Sequence, residues 1–281
     1  LTEGLSAKVS YAQMQQYIHL LTNATIGLPT DLWVPSTNTV KPEDSKQIAG
    51  GLAQTFKEKY EISVEAYYKT MTNLIDYKEG AGFFTTGSGW EDQIEFGRGW
   101  AYGFEFFLQK KVGKTAGWIG YTLSWTNRQF DNLNFGRPFP YRYDRRHDLS
   151  IVWTQEISEK FDFAATWVYG TGNAVSLPIE RYMGPAPNYF GEIYNYGDRN
   201  SFRMHAYHRL DLGFNWHLTV GRLTSTLSFG AYNAYSRKNP FFLYFKDTYN
   251  QDQQGSITSQ KSLVQVSLFP VIPYVSYNFS F

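Results

Sequence analysis

The densest run of chemically capable side chains in this sequence is Asp144-Arg145-Arg146-His147-Asp148. Guanidinium forks suit carboxylates and phosphates. Arg145, Arg146, His147 and Asp148 could therefore bind an anionic ligand. The same residues could equally form an ion-pair network where a strand ends. Large rings offer a second kind of chemistry. They gather at Trp33, at Phe83, Phe84 and Trp90, at Tyr189, Phe190, Tyr194 and Tyr196, and at Phe241, Phe242, Tyr244 and Phe245. Flat rings with a polar edge can stack on sugars, aromatic chelates or peptide side chains. They can also simply pack loops together. Trp33 and Trp90 lie well inside their segments and are the stronger ligand candidates. Metal and catalytic chemistry is poorly provided for. There is no Cys, and His205 and His208, three apart, would point to opposite faces of a strand. Gly87-Ser88-Gly89 lacks the frame of a nucleophile elbow, and no dinucleotide or P-loop pattern occurs. No catalytic residue, metal site or cofactor is expected.

The elements that must position these residues read as strands. Tyr60, Ile62, Val64, Ala66 and Tyr68 alternate with Glu61, Ser63, Glu65 and Lys69. Leu210, Leu212, Phe214, Trp216 and Leu218 alternate with Arg209, Asp211, Gly213, Asn215 and His217. A period of two means one apolar and one polar face. Further strands are expected near 5–18, 47–56, 99–110, 117–127, 148–154, 161–170, 223–234 and 262–281, about ten in all. Glu61, Glu65, Glu105, Arg209, Asp211 and His217 fall on polar faces.

Connection lengths decide the class. Very short turns at 57–59, 112–115, 158–160 and 219–222 alternate with long segments at 20–46, 77–98, 128–145, 172–207 and 234–261. Short periplasmic turns alternating with long extracellular loops build an outer-membrane β-barrel. Composition agrees. The 281 residues include 22 Tyr, 22 Phe and 8 Trp, so 19% are aromatic, too many for a disordered chain. No apolar run is long enough for a spanning helix. A net charge of +1 gives no basic patch for nucleic acid. The fold expected is all-β, a transmembrane antiparallel barrel.

Specific segments then carry a family resemblance. Ile18-His19-Leu20-Leu21 with Leu28-Pro29-Thr30-Asp31-Leu32-Trp33-Val34-Pro35-Ser36 resembles TonB-dependent outer-membrane receptors, particularly the Bacteroidetes type. So do Tyr143-Asp144-Arg145-Arg146-His147-Asp148, Tyr207-His208-Arg209-Leu210-Asp211-Leu212, the stretch from Tyr232 to Phe241, and that from Leu268 to Tyr277. The resemblance implies the C-terminal part of a 22-stranded barrel, with residues 1–281 supplying about ten strands. Plug domain, TonB box and earlier strands would lie upstream of Leu1. It also implies a bacterial outer-membrane transporter importing a siderophore, oligosaccharide or peptide captured by extracellular loops. Its partners would be outer-membrane lipid, its own plug, TonB and a surface lipoprotein. Two alternatives stay open from the residues alone, a self-contained ten-stranded barrel enzyme of protease or lipase type, and a passive porin.

Overall fold

A computed structural model describes residues 3–22, 31–81, 89–183, 192–221, 223–251 and 257–280. Ten long antiparallel strands form one sheet in chain order. They are β1 (Leu5–Gln16), β2 (Glu43–Phe56), β3 (Tyr60–Tyr77), β4 (Ile94–Lys110), β5 (Thr115–Phe130), β6 (His147–Ser158), β7 (Phe161–Gly170), β8 (Tyr207–Val220), β9 (Leu223–Tyr232) and β10 (Ile272–Ser280). Each pairs only with its chain neighbours, apart from the two-residue strand Phe139–Pro140 against β5. Among the described residues β1 and β10 are the outer edges, and they do not pair with each other. The strands run from 9 to 18 residues, against the roughly 9–11 that cross a bilayer.

The faces are inverted relative to a water-soluble sheet. Along β3, Ile62, Val64 and Tyr68 are exposed, while Glu61, Ser63, Glu65 and Lys69 are half-buried. The sheet therefore curves with its polar face inward. Lys8 pairs with Glu65 at 2.8 Å and Lys111 with Glu61 at 2.5 Å on that inner wall. The outer face carries stacked rings, such as Tyr102 on Trp125 at 5.1 Å and Phe214 on Phe229 at 5.4 Å. Its exposed aromatics include Trp153 and Trp216. Water would penalise such a surface, whereas lipid is its natural solvent.

Small residues let the inner wall close up. A Cβ on Gly213 or on Gly230 would lie 2.7 Å from the Tyr274 hydroxyl. The β10 tyrosine thus lies across its neighbour β9 and on over β8, where any side chain would displace it.

The buried apolar core sits above the membrane strands, in the layer built by the long connections. One cluster joins Leu21, Val34, Val40, Ile75, Tyr77 and Ile94. A second joins Leu74, Phe130, Leu133 and Phe139, and a third Val175, Met204 and Leu243. In β3 the transition is marked by a bulge between Met71 and Leu74, with Asn73 at φ 57°. Beyond it alternation ends and Leu74, Ile75, Asp76 and Tyr77 are all buried.

Five sequence expectations need correcting. The stretch 262–281 is two strands, Ile257–Ser267 and β10, separated at Phe269 (φ 55°) and Pro270. Segment 234–261 is not a plain loop, because Pro240–Gln251 pairs with Ile257–Ser267 as a long hairpin. β1 stops at Gln16, and Ile18–Leu21 turns off to pair with Leu32–Pro35. β2 and β4 begin earlier than expected, at Glu43 and Ile94.

Candidate functional site

The long connections converge on the end of the sheet opposite the short turns, and the candidate residues lie there. Trp33 stands on the Leu32–Pro35 strand, whose alternation buries Val34 in the first apolar cluster and turns Trp33 outward at 61% exposure. It overhangs an open groove of about 740 Å³ on the inner face of β1, β2 and β3. The floor is set by strand register. Met14, Ser45 and Met71 form one rung, with Lys69 beside Gln47 below and Glu43 beside Gln16 above. Tyr17 and Ile18 complete the rim.

Behind the groove His19 is fully buried. Its Nε2 lies 3.1 Å from Ser36 Oγ and its Nδ1 3.3 Å from a Glu43 oxygen. The order serine, histidine, carboxylate resembles a hydrolytic relay. The Ser36 amide, however, donates to the Tyr17 carbonyl at 2.8 Å, whereas an oxyanion hole needs free donors aimed at the reacting atom. The arrangement acts as a clasp within the Trp33 ribbon, and the His19 imidazole lies against Glu43 of β2 although Nδ1 makes no hydrogen bond there.

The other rings are placed differently. Trp90 opens a short 3-10 helix and packs against the Leu21/Val34/Ile75 cluster, which makes it a loop-packing residue in this structure. Tyr194 accepts a hydrogen bond from Lys261 Nζ at 2.7 Å, with the ammonium 5.3 Å from its ring centre, so the Glu192–Tyr196 strand is tied to the long hairpin. Phe241, Phe242 and Tyr244 form an edge-to-face and tilted series at the hairpin base, beside the buried Leu243. Phe83, Phe84, Tyr189 and Phe190 lie outside the described residues.

The charged run is spread over different surroundings. Asp144 is 1% exposed, takes the Thr126 amide at 2.6 Å and is bonded by Arg203, with Arg146 at 3.6 Å. Arg203 also donates to the Asp144 carbonyl. The Arg146 guanidinium covers Trp125 at 4.6 Å. Arg145 pairs with Asp148 at 3.3 Å. His147 stacks on Tyr121 and meets its hydroxyl at 2.8 Å, on the outer face. The ion-pair reading thus describes Asp144, Arg145, Arg146 and Asp148, while His147 stands apart. A similar tie joins Asp76, 4% exposed, to Arg199 at 2.8 Å. Together these hold the segment 199–203 onto β3 and β5.

Several polar-face charges are also paired. Arg209 meets Asp211 at 2.9 Å, and its guanidinium covers Tyr232 at 4.2 Å. His217 Nε2 lies 2.6 Å from Asp162. Glu105 stands opposite Glu65 in register.

Burial raises the phenols of the loop layer. The Tyr141 hydroxyl is pushed up chiefly by desolvation, opposed by the Arg128 guanidinium 3.7 Å from its ring centre. Tyr143 is pushed up further by burial and by its hydrogen bond to the Asp31 carboxylate, which ties connection 131–146 to the Trp33 ribbon.

Sequence reasoning missed Lys69, Met14, Met71, Glu43 and His19 as parts of one site. They belong to segments far apart in the chain, and only strand register and the ribbon place them together. Trp33 carried a signal, a large ring in a long connection.

A family described as TonB dependent receptor-like, beta-barrel, matches residues 1–234. Among solved structures, the ferripyoverdine receptor of Pseudomonas aeruginosa is similar at a TM-score of 0.56 and 11% identity, covering 100% of this chain and 32% of that one. The ferric-catecholate import receptor Fiu from Escherichia coli K12 gives 0.53 and 13%, covering 99% and 33%. The FrpB iron transporter from Neisseria meningitidis gives 0.56 and 9%, covering 98% and 37%. The chain thus spans about a third of each of these structures. No curated protein matches by sequence.

Proposed function

The chain belongs to the TonB-dependent receptor-like β-barrel family of the bacterial outer membrane, and from that premise we propose that it forms the C-terminal part of the barrel of a nutrient importer. The family is one of transporters rather than enzymes. The single observation that carries the reading beyond membership is the inverted sheet. Exposed apolar residues such as Val64 and Tyr68 alternate with sheltered charges such as Glu65. A lipid-facing wall around a wet lumen is what a transporter barrel requires.

In this proposal the earlier strands and the plug come from upstream sequence. The plug meets the inner charges Glu61, Glu65, Glu105, Arg209, Asp211 and His217, and TonB supplies the energy. Outer-membrane lipid surrounds the barrel, and a surface lipoprotein covers the long connections. Loop residues capture the nutrient, with Trp33 as the leading contact and Trp90, Phe83, Phe84, Tyr189, Tyr194, Phe241 and Tyr244 as further candidates. Arg145, Arg146 and Asp148, with Asp144, hold the barrel mouth in shape, and His147 stands beside them on Tyr121. The similar structures are named for iron or for iron chelates, but likeness at such low identity supports the fold alone.

The test is uptake by cells expressing the full-length receptor, with a labelled panel of oligopeptides, oligosaccharides and ferric chelates. One member of the panel accumulates, its uptake stops without TonB, and Trp33→Ala weakens it about tenfold at limiting concentration, the size of a lost stacking contact. Uptake independent of TonB would contradict the transporter reading and favour a porin.

A further inference from the structure

The groove under Trp33 has a charge pattern that points to one class of cargo. Its floor is apolar in the middle, where Met14 and Met71 face each other across Ser45 on one rung. Trp33 and Ile18 overhang the same space, 61% and 53% exposed. Two opposite charges bound this apolar centre. Lys69 stands below it, and among the described residues no hydrogen bond or ion pair engages its ammonium. Glu43 stands above it. One Glu43 oxygen faces His19, and its side chain is 20% exposed.

Lys69 is in register with Gln47, and Glu43 lies four residues along the same strand from Gln47. At about 3.4 Å per residue the backbone positions that carry the two charges are about 14 Å apart along the groove. An extended peptide of four residues spans about the same distance, at roughly 3.3–3.6 Å per residue.

We propose that this groove binds a short apolar peptide with free termini, its carboxylate on Lys69, its ammonium toward Glu43, and its side chains against Trp33, Met14 and Met71. The assignment rests on the reading of the groove as the capture site of an importer. Charge complementarity at both ends and an adaptable thioether floor argue for it. A polyanionic chelate would need a cluster of cations, and the groove offers a single ammonium. A neutral oligosaccharide would leave the charge at each end without use and would face thioethers where it needs hydrogen-bonding groups. Gln15 and Gln16 on the rim are held by Tyr17 and the Ile18 carbonyl, which leaves the Gln15 amide nitrogen and the Gln16 amide oxygen for a peptide backbone.

The experiment is calorimetric titration of the full-length receptor with tetraleucine, its N-acetylated and C-amidated forms, maltotetraose and a ferric catecholate. Unblocked tetraleucine binds, and amidation weakens it about fivefold, as does acetylation, the scale of a partly exposed ion pair. Lys69→Gln weakens the free peptide by a similar factor and then shows no further loss on amidation. Glu43→Gln does the same for acetylation, and the Lys69 variant stands alone as a test if the His19 clasp fails without Glu43. Equal affinity for blocked and free peptides overturns the proposal, as do amidation and Lys69→Gln losses that multiply. Binding of maltotetraose or the chelate that depends on Trp33, with no binding of tetraleucine, overturns the peptide assignment but leaves the capture site standing. Binding that is indifferent to Trp33→Ala for every probe overturns both.

Discussion

Asp144 shows most plainly what a single residue does in this loop layer. It is almost fully buried, and its carboxylate gathers the Thr126 amide, Arg203 and Arg146. Neutralising Asp144 takes the charged acceptor from Arg203 and Arg146, which are partly exposed and keep other partners, and losing such charge-assisted hydrogen bonds costs about 2 kcal/mol. Asp144→Asn is therefore expected to lower the opening free energy of the segment 199–203 by about that amount. Amide hydrogen exchange across Ala174, Val175, Phe202 and Arg203 reads the effect, and unchanged protection there would contradict it. The raised phenols make a second prediction at this scale. The folded state holds the Tyr141 and Tyr143 protons more tightly than the unfolded chain does. Their contribution is intact below about pH 10, the ordinary phenol value, and is lost as pH rises beyond it. A tyrosinate absorbance titration should show these two phenols ionising after the exposed ones, together with loss of near-ultraviolet ellipticity. Tyr143→Phe should remove one of the late phenols. Simultaneous ionisation of all tyrosines would contradict the burial argument.

At the scale of elements, the β3 and β8 alternations read directly from sequence because a membrane strand obeys period two on both of its faces. The short turns were equally legible. What stayed hidden has specific causes. The Asn73 bulge breaks the period at the top of β3, so the four buried residues after it have no face to alternate between. The Pro240–Gln251 hairpin lies outside the main sheet, and its second strand runs toward β10 with only Phe269 and Pro270 to mark the break. The groove was illegible for a third reason, since its rungs depend on pairing partners and not on local pattern. Gly230 gives the element-level prediction. A side chain there meets the Tyr274 hydroxyl and the Leu212 carbonyl. Gly230→Val should cost about 2 kcal/mol by overpacking, seen as a lower urea midpoint for folding into micelles. Gly230→Val with Tyr274→Ala should recover part of that loss, because one of the two obstructions is then gone. A double variant no better than the single would show that the backbone contact dominates.

For the whole molecule, the inverted sheet is the central claim, since lipid outside and water inside give every other feature its meaning. The apolar clusters lie in the loop layer because the membrane wall needs no core of its own. Several inner charges pair across the strands, while Lys69 faces the lumen without an ion pair among the described residues. The most direct measurement places a spin label singly at each position from Glu61 to Lys69 of the full-length receptor in bilayers, and records collision with oxygen and with a water-soluble nickel complex. Labels at Ile62, Val64, Ala66 and Tyr68 should collide with oxygen, and those at Glu61, Ser63, Glu65, Tyr67 and Lys69 should favour nickel or be sheltered from both. Nickel reaching both sets equally, or the opposite alternation, would contradict the account.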